Sequence, residues 1–130
     1  MKQIAVACFS GEPPPQLAEA AAKFVDILSE KLGKSFALLV GGYYGAMRMV
    51  VDEAVRRGVP VVVVLPVEEE HRELPQEAIV IRTGMSYRLR SALMVRSADA
   101  VVVLGGASGS MVEALAGYTE SKPVLVLRTG

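Results

Sequence analysis

The sequence predicts a doubly wound α/β domain built on a six-stranded parallel sheet. Three observations carry this prediction. Short apolar runs, often β-branched and without polar alternation, recur along the chain, as in strands that are buried on both faces. Segments with apolar residues at steps of three and four separate most of these runs, as in helices that cover a sheet. The composition, 52 % hydrophobic and 22 % charged over 130 residues, indicates one folded domain and excludes a disordered chain.

Six apolar runs define the strands, and four periodic segments define the helices. The predicted strands are Ile4–Phe9, Phe36–Val40, Val61–Leu65, Ala78–Ile81, Ala100–Leu104 and Val124–Leu127. The predicted helices run from Leu17 to Gly33, from Met47 to Gly58, from Ser86 to Arg96 with its apolar face at Leu89, Ala92 and Leu93, and from Ser110 to Thr119. An acidic segment between Pro66 and Gln76 has no helical apolar face, and we expect it to carry the chain across the sheet.

These elements divide the single domain, residues 1–130, into two βαβαβ halves of about residues 1–65 and 78–130. Each half has a Gly-Gly-x-x-Gly motif after its middle strand. Two such halves predict the strand order 3-2-1-4-5-6, with a ligand crevice at the carboxyl ends of strands 1 and 4. Four loops are then expected to converge, namely Ser10-Gly11, Gly41–Gly45, Arg82–Ser86 and Gly105–Ser110.

The two glycine motifs, Gly41–Gly45 and Gly105–Gly109, have two explanations. A glycine turn from strand to helix lets a ligand approach the backbone, and the helix start offers free N–H groups and a favourable dipole for an anion. Close packing of strand on helix also demands glycine. Neither motif has the defining residues of a dinucleotide fingerprint or a P-loop.

Ser110 and Glu113 likewise have two interpretations. Their Ser-x-x-Glu spacing is that of a capping box, in which both side chains satisfy N–H groups of the helix start. Alternatively, Ser110 and the loop amides hold a phosphate while Glu113 faces the crevice, where its carboxylate would stabilise positive charge on a sugar.

A basic segment follows the fourth strand. Between Glu77 and Asp99 the chain has no acidic residue and four arginines, Arg82, Arg88, Arg90 and Arg96. Arg88 and Arg90 fall near the carboxyl end of strand 4, where a guanidinium fork would bind phosphate or a carboxylate. Solvated helix positions are the alternative, and Arg96 is expected on the surface. Three tyrosines at the crevice rim would either stack on a base or pack against the protein, namely Tyr43, Tyr44 and Tyr87.

Charge, cysteine content and hydropathy exclude several classes of protein. Fourteen basic residues balance fourteen acidic ones, so we expect no nucleic-acid partner. No apolar run is long enough to span a bilayer, so we expect no membrane association and a cytoplasmic location. Cys8 is the one cysteine and His71 the one histidine, and they fall in different segments, so we expect neither a disulfide nor a metal site. The absence of asparagine and tryptophan favours a heat-adapted source.

Several of these motifs together resemble a known family. The segments Gly41–Met47, Arg90-Ser91, Ser97–Ala100 and Gly105–Glu113 are similar to the G-G-x-x-G-x-M, R-[KN], S-A-D-A and G-G-x-x-G-T-x-x-E segments of the LOG-like Rossmann proteins, which also carry a lysine decarboxylase label. That family includes enzymes that cleave the N-glycosidic bond of nucleoside 5′-monophosphates and molybdenum-cofactor carriers that bind without turnover.

The resemblance implies catalytic roles for Arg90 and Glu113. It also implies ligand contacts from both glycine loops, to which the convergence of loops adds Ser10 and Gly11 and the basic segment adds Arg88. The expected loop contacts are Gly41, Gly42, Gly45, Met47, Gly105, Gly106, Gly109 and Ser110.

Three departures place this chain nearer the short branch of the family and the carriers than the hydrolases. Leu104 stands in place of proline, Ser110 in place of threonine, and Ser91 in place of lysine or asparagine. No lysine falls in the crevice loops to hold pyridoxal phosphate, so we expect no such cofactor.

The first hypothesis is therefore a protein that binds a nucleotide or another small phosphorylated molecule and hydrolyses the N-glycosidic bond of a nucleoside 5′-monophosphate. The second is a carrier or sensor of a phosphorylated cofactor such as molybdopterin, and the third is an assembly protein with a vestigial site. Because the sequence ends directly after strand 6, we also expect a homo-oligomer whose interface covers the surface near that strand or the exposed helix faces.

Overall fold

A computed structural model of the chain describes residues 1–8, 14–33, 35–105 and 121–127. Strands and helices alternate through these ranges, as the sequence predicts. The elements in chain order are β1 (Lys2–Cys8), α1 (Pro15–Leu32), β2 (Phe36–Val40), α2 (Gly45–Arg57), β3 (Val61–Leu65), a 3-10 helix (Val67–Glu69), β4 (Ile79–Arg82), α3 (Tyr87–Ser97), β5 (Ala100–Leu104) and β6 (Val124–Leu127). The predicted fourth helix, from Ser110, lies outside the described residues.

The six strands form one parallel sheet, which confirms the predicted fold class. Their order is β4-β3-β2-β1-β5-β6. The central strand, β1, pairs with β2 on one side and with β5 on the other. All five residues of β2 are buried, as an unbroken apolar run predicts for a strand covered on both faces.

The predicted strand order 3-2-1-4-5-6 is wrong in the position of β4. This strand pairs with β3, placing Val62 beside Ile79, and not with β1. The acidic connection after Pro66 forms only a short 3-10 helix and returns to the adjacent position in the sheet instead of crossing it. The crossing is made by α3, which contacts β3 and β1 on the way to β5.

This correction moves the expected crevice. The first glycine loop follows β2, and Gly105 of the second motif follows β5. Both strands are neighbours of β1 in the sheet. The loop after β4 lies at the far edge of the sheet, beside the end of β3. The first half of the chain, to Leu65, forms the contiguous block β3-β2-β1, whereas three strands separate β4 from β5.

Helices cover both faces of the sheet. On one face α1 and α2 pack against each other, and α2 also contacts β1, β2 and β3. This larger core includes Phe24, Val50 and Val63. The other face holds a smaller core in which Met94 and Val95 of α3 pack with residues of the strands.

The buried face of α3 differs from the predicted one. Leu89 is 60 % exposed and Leu93 is 39 % exposed, whereas four neighbouring positions are buried, namely Arg90, Ser91, Met94 and Val95. Both sides of the helix carry large apolar residues, so periodicity does not distinguish them. The buried side is the one from which Arg90 reaches the ends of β2 and β3.

Two further expectations concern local structure and membranes. Gly58 ends α2 in the left-handed conformation (φ 71°, ψ 22°), as the sequence predicts for a helix terminus. In the described part of the chain, no helix combines the length and the apolar character needed to cross a bilayer.

Candidate functional site

Arg90 joins the carboxyl ends of β2 and β3. It lies in the first turns of α3, and only 6 % of its surface is exposed. Its Nη1 donates to the carbonyl oxygen of Gly41, directly after β2, and more weakly to that of Val64 in β3, 3.5 Å away. The sequence predicts Arg90 near the carboxyl end of β4, whereas the structure places its guanidinium at the ends of β2 and β3.

Gly41 is a glycine because Arg90 approaches it so closely. A Cβ atom at position 41 would lie 1.8 Å from Nη1 of Arg90. At the adjacent Gly42, a Cβ would lie 2.7 Å from Cε1 of Tyr44. In the first motif, therefore, both glycines of the pair have a packing explanation within the protein, which is the alternative that the sequence left open.

The Nε–H group of Arg90 has no partner in the described part of the chain. It is fully buried and makes no hydrogen bond there. Among the described ion pairs none involves Arg90. Leaving a buried charged donor unpaired is costly. The Nε and Nη2 groups together form the fork that binds carboxylates and phosphates bidentately.

Four side chains form a rim next to Arg90, which we call the rim cluster: Tyr44, Glu69, Arg72 and Tyr87. The Tyr87 hydroxyl donates to Oε1 of Glu69 at 2.9 Å, and Arg72 donates to the other carboxylate oxygen. The Arg72 guanidinium lies over the Tyr44 ring, 4.7 Å from its centroid. The Tyr87 ring lies 5.6 Å from Cζ of Arg90.

Burial and hydrogen bonding shift the pKa values of the rim cluster. Partial burial, and then the bond to Glu69, raise the pKa of Tyr87. Burial also raises the pKa of Tyr44. Burial works to raise the pKa of Glu69, but hydrogen bonds from Arg72 and Tyr87 outweigh it and hold that pKa below its usual value. At neutral pH Glu69 is therefore an anion and Tyr87 a neutral donor.

Hydrogen bonds fasten the loop after β4 to the end of β3. Thr83 Oγ1 donates to the carbonyl oxygen of Leu65 at 2.8 Å and accepts the N–H of Met85 at 3.1 Å. The carboxylate of Glu70 accepts the N–H of Gly84 at 2.7 Å. These contacts hold the start of α3, and with it Tyr87 and Arg90, against the rim.

The remaining expected residues divide into four groups. Gly45 begins α2 (φ 58°), and Gly105 follows β5 (φ 76°). Met47 is buried in the larger core, and its Cε lies next to Gly42. Arg88 is exposed and makes no hydrogen bond or ion pair with described residues. Six expected site residues lie outside the described ranges, namely Ser10, Gly11, Gly106, Gly109, Ser110 and Glu113.

Two of the three tyrosines expected at the rim are committed to the protein. The Tyr43 hydroxyl donates to Asp52 at 2.6 Å, and Arg48 lies over its ring at 5.2 Å. The Tyr44 ring lies between Gly42 and Arg72. Tyr87, at 40 % exposure, is the most exposed of the three.

The sequence does not indicate Glu69 and Arg72 as site residues, because their segment is predicted to connect strands across the sheet. The available signal was their spacing of three residues directly after Pro66, which suits an ion pair on a single helical turn. Within the described ranges, no group of three or more His, Cys, Asp and Glu side chains is suited to hold a metal ion.

Asp99, in the S-A-D-A segment, has a structural role. Its carboxylate accepts the N–H of Gln3 at 2.8 Å, and its own N–H donates to the carbonyl oxygen of Gln3 at 2.7 Å. The bond from Gln3 lowers the pKa of Asp99. This pair of bonds joins the start of β5 to the start of β1, at the opposite edge of the sheet from the candidate site.

A doubly wound parallel sheet with a buried arginine at its carboxyl edge defines a Rossmann-like α/β protein. The chain belongs to the SLOG cluster4 family, whose profile matches residues 2–130. This match confirms the resemblance to LOG-like proteins.

Solved structures agree with this assignment. The X-ray structure of TM1055, a structural genomics target, is 32 % identical, with a TM-score of 0.86 over 100 % of this chain and 76 % of its own. The molybdenum cofactor binding protein of Rippkaea orientalis is 22 % identical, with a TM-score of 0.83 over 96 % of this chain and 75 % of its own.

DNA processing protein A from Streptococcus pneumoniae shares the fold at 14 % identity, with a TM-score of 0.81 over 100 % of this chain and 51 % of its own. A comparison with the curated proteins finds no match to this chain.

Proposed function

We propose that this protein binds a small phosphorylated ligand at the carboxyl edge of its sheet, with Arg90 as the anion-binding group. One observation carries the proposal, namely the buried Nε–H group of Arg90, which has no hydrogen-bond partner among the described residues. An anionic ligand that accepts this N–H group together with that of Nη2 on the same edge would pair the charge and remove the cost of leaving Nε unpaired.

The surroundings of Arg90 favour an anion. Nη1 is already held by two carbonyl oxygens, so the guanidinium is oriented before a ligand arrives. The first turns of α2 and α3 carry no acidic residue. The free N–H groups at the start of α2, beside Gly41 and Gly42, add a favourable dipole. We expect further contacts from the second glycine motif, which begins at Gly105 directly after β5.

A thermal-shift screen tests the binding. We would compare inorganic phosphate, ribose 5-phosphate, nucleoside monophosphates and a pterin. A ligand at a hundredfold excess over its Kd stabilises the fold by about 2.7 kcal/mol, which is a readily measured rise in Tm. Arg90→Gln should abolish this rise. Arg88→Gln is the matched control, because it removes the same charge from an exposed position of the same helix. An equal response in both variants would refute the role of Arg90.

Binding alone does not distinguish a carrier from a hydrolase. The likeness of this fold to molybdenum cofactor binding proteins supports a carrier of a phosphorylated cofactor such as molybdopterin. Ligand that is retained through purification, with no turnover, is the result expected of a carrier.

The hydrolase is the second candidate and rests on Glu113. In that case, Glu113 would stabilise the developing cation on the sugar while Arg90 holds the phosphate or the departing base. Release of free base from nucleoside monophosphates, abolished by Glu113→Gln, would establish it. Release that this substitution leaves undiminished would exclude Glu113 as the catalytic group.

Two further proposals concern partners. Leu125 and Val126 of the edge strand β6 are 56 % and 62 % exposed, which supports a homo-oligomer that covers this edge. Light scattering at micromolar concentration should give at least twice the chain mass, and a monomer would refute this.

The zero net charge supports the absence of a nucleic-acid partner, and a mobility shift of single-stranded DNA at physiological salt would contradict it.

A further inference from the structure

We propose that Tyr87 recognises a flat aromatic ring of the ligand by stacking, with Glu69 and Arg72 as the positioning residues that hold Tyr87 in place. This inference rests on the proposed binding of an anion at Arg90 and adds the part of the ligand that lies beyond the anion.

Tyr87 is suited to this role because it is exposed although it lies next to the buried arginine. Tyr87 is 40 % exposed as a residue, and its ring centroid is 5.6 Å from Cζ of Arg90. Tyr43 and Tyr44 are half-buried, and the Tyr44 ring lies between Gly42 and Arg72. Arg90 lies over one face of the Tyr87 ring, so a ligand ring would stack on the other face.

The Tyr87 ring is held in one orientation before a ligand binds. Its hydroxyl donates to Oε1 of Glu69, and Arg72 holds the other oxygen of that carboxylate. Arg72 is in turn fixed by its contact with the Tyr44 ring. A side chain fixed in this way loses little freedom on binding, so more of the stacking energy contributes to affinity.

The geometry also limits the spacing within the ligand. A ring stacked on the outer face of Tyr87 lies roughly 3.5 Å beyond it and therefore about 9 Å from the Arg90 guanidinium carbon. An anion bound by the fork then needs a spacer about the size of one sugar between itself and the ring. Stacking tolerates any flat ring, so we expect selection for ringed over ringless phosphates and little selection among bases.

Calorimetric titration tests this inference with AMP and ribose 5-phosphate, which share the phosphate and the sugar. Stacking of one base is expected to make AMP bind about tenfold to a hundredfold more tightly. Tyr87→Leu should remove this preference, so that the affinity for AMP falls much more than the affinity for ribose 5-phosphate. Tyr43→Leu, which removes a tyrosine anchored on α2, should keep the preference.

Two more variants separate positioning from folding. Tyr87→Phe keeps the ring and loses the bond to Glu69, and Glu69→Gln weakens the same bond from the other side. Both substitutions should lower the ratio of the AMP affinity to the ribose 5-phosphate affinity by a similar factor, without reducing it to one. A purely structural role would move the Tm of these variants and leave the ratio unchanged, which would overturn the role assigned to Glu69.

The outcomes are distinct from those of the anion-binding proposal. If both ligands bind equally and Arg90→Gln abolishes both, anion binding stands and ring recognition by Tyr87 is overturned. An equal loss of both ligands in Tyr87→Leu also overturns it, because Tyr87 would then belong to the anion site or to the fold. If neither ligand binds, the proposed function fails and this inference fails with it.

Discussion

The contact between Gly41 and Arg90 gives the sharpest stability prediction. A Cβ at position 41 would lie 1.8 Å from Nη1 and 2.8 Å from Cζ of Arg90, so Gly41→Ala must displace the guanidinium. The displaced group loses its bonds to the carbonyl oxygens of Gly41 and Val64. A hydrogen bond from a charged donor contributes about 1.5–3 kcal/mol. Because the second bond is long, we expect Gly41→Ala to lower the free energy of unfolding by about 2–3 kcal/mol.

A double-mutant cycle measured by urea denaturation isolates this contact. In an Arg90→Ala background the conflict is absent, so Gly41→Ala should there cost less than about 0.5 kcal/mol. Gly42→Ala is the matched control, because its Cβ would meet the Tyr44 ring and not Arg90. Its cost should be the same in both backgrounds. If Gly41→Ala costs the same with and without Arg90, the arginine does not occupy the position described, and the explanation of this glycine is wrong.

Three further predictions concern the rest of the fold. Hydrogen bonds from Arg56 lower the pKa of Glu53 from 4.5 to about 2. The ionised carboxylate therefore stabilises the fold above pH 4.5, and this contribution disappears as the pH falls toward 2. Between these two pH values the free energy of unfolding should fall by about 1–2 kcal/mol, and this fall should be absent in Glu53→Gln. Thr83→Val removes the hydrogen bonds of the side-chain oxygen with Leu65 and Met85 and should lower the free energy of unfolding by about 1–2 kcal/mol. Thr83→Ser keeps the hydroxyl and should retain most of the wild-type stability. Asp99→Ala should lower the Tm, and Asp99→Asn, which keeps an acceptor for Gln3, should lower it less.

The strands and their parallel arrangement could be predicted because burial on both faces leaves a direct trace in the sequence, as in the five buried residues of β2. The position of β4 in the sheet could not be predicted in this way. The acidic segment after Pro66 is long enough to cross the sheet or to return beside β3, and its composition does not distinguish the two. The choice depends on hydrogen bonds such as that of Thr83 to Leu65, which join residues distant in the chain.

Part of the candidate site was also accessible from the sequence. A run of arginines without acidic residues identified Arg90, and the glycine motif identified Gly41. The contact between them was not predictable, because it depends on which face α3 turns to the sheet, and both faces carry apolar side chains. The pairing of Glu69 with Arg72 is local in sequence, but its use as an anchor for Tyr87 follows only from the return of the chain to β4.

The most direct measurement of the central claim is the NMR signal of the Arg90 Nε–H group, assigned by its loss in Arg90→Lys and followed during titration with ribose 5-phosphate. This buried N–H group has no hydrogen-bond partner among the described residues. When it donates to a phosphate oxygen, its signal should shift strongly, with a saturation curve that matches the calorimetric Kd. If the ligand binds while the Arg90 signal stays in place and other arginine signals move, the anion is held elsewhere and the claim is wrong.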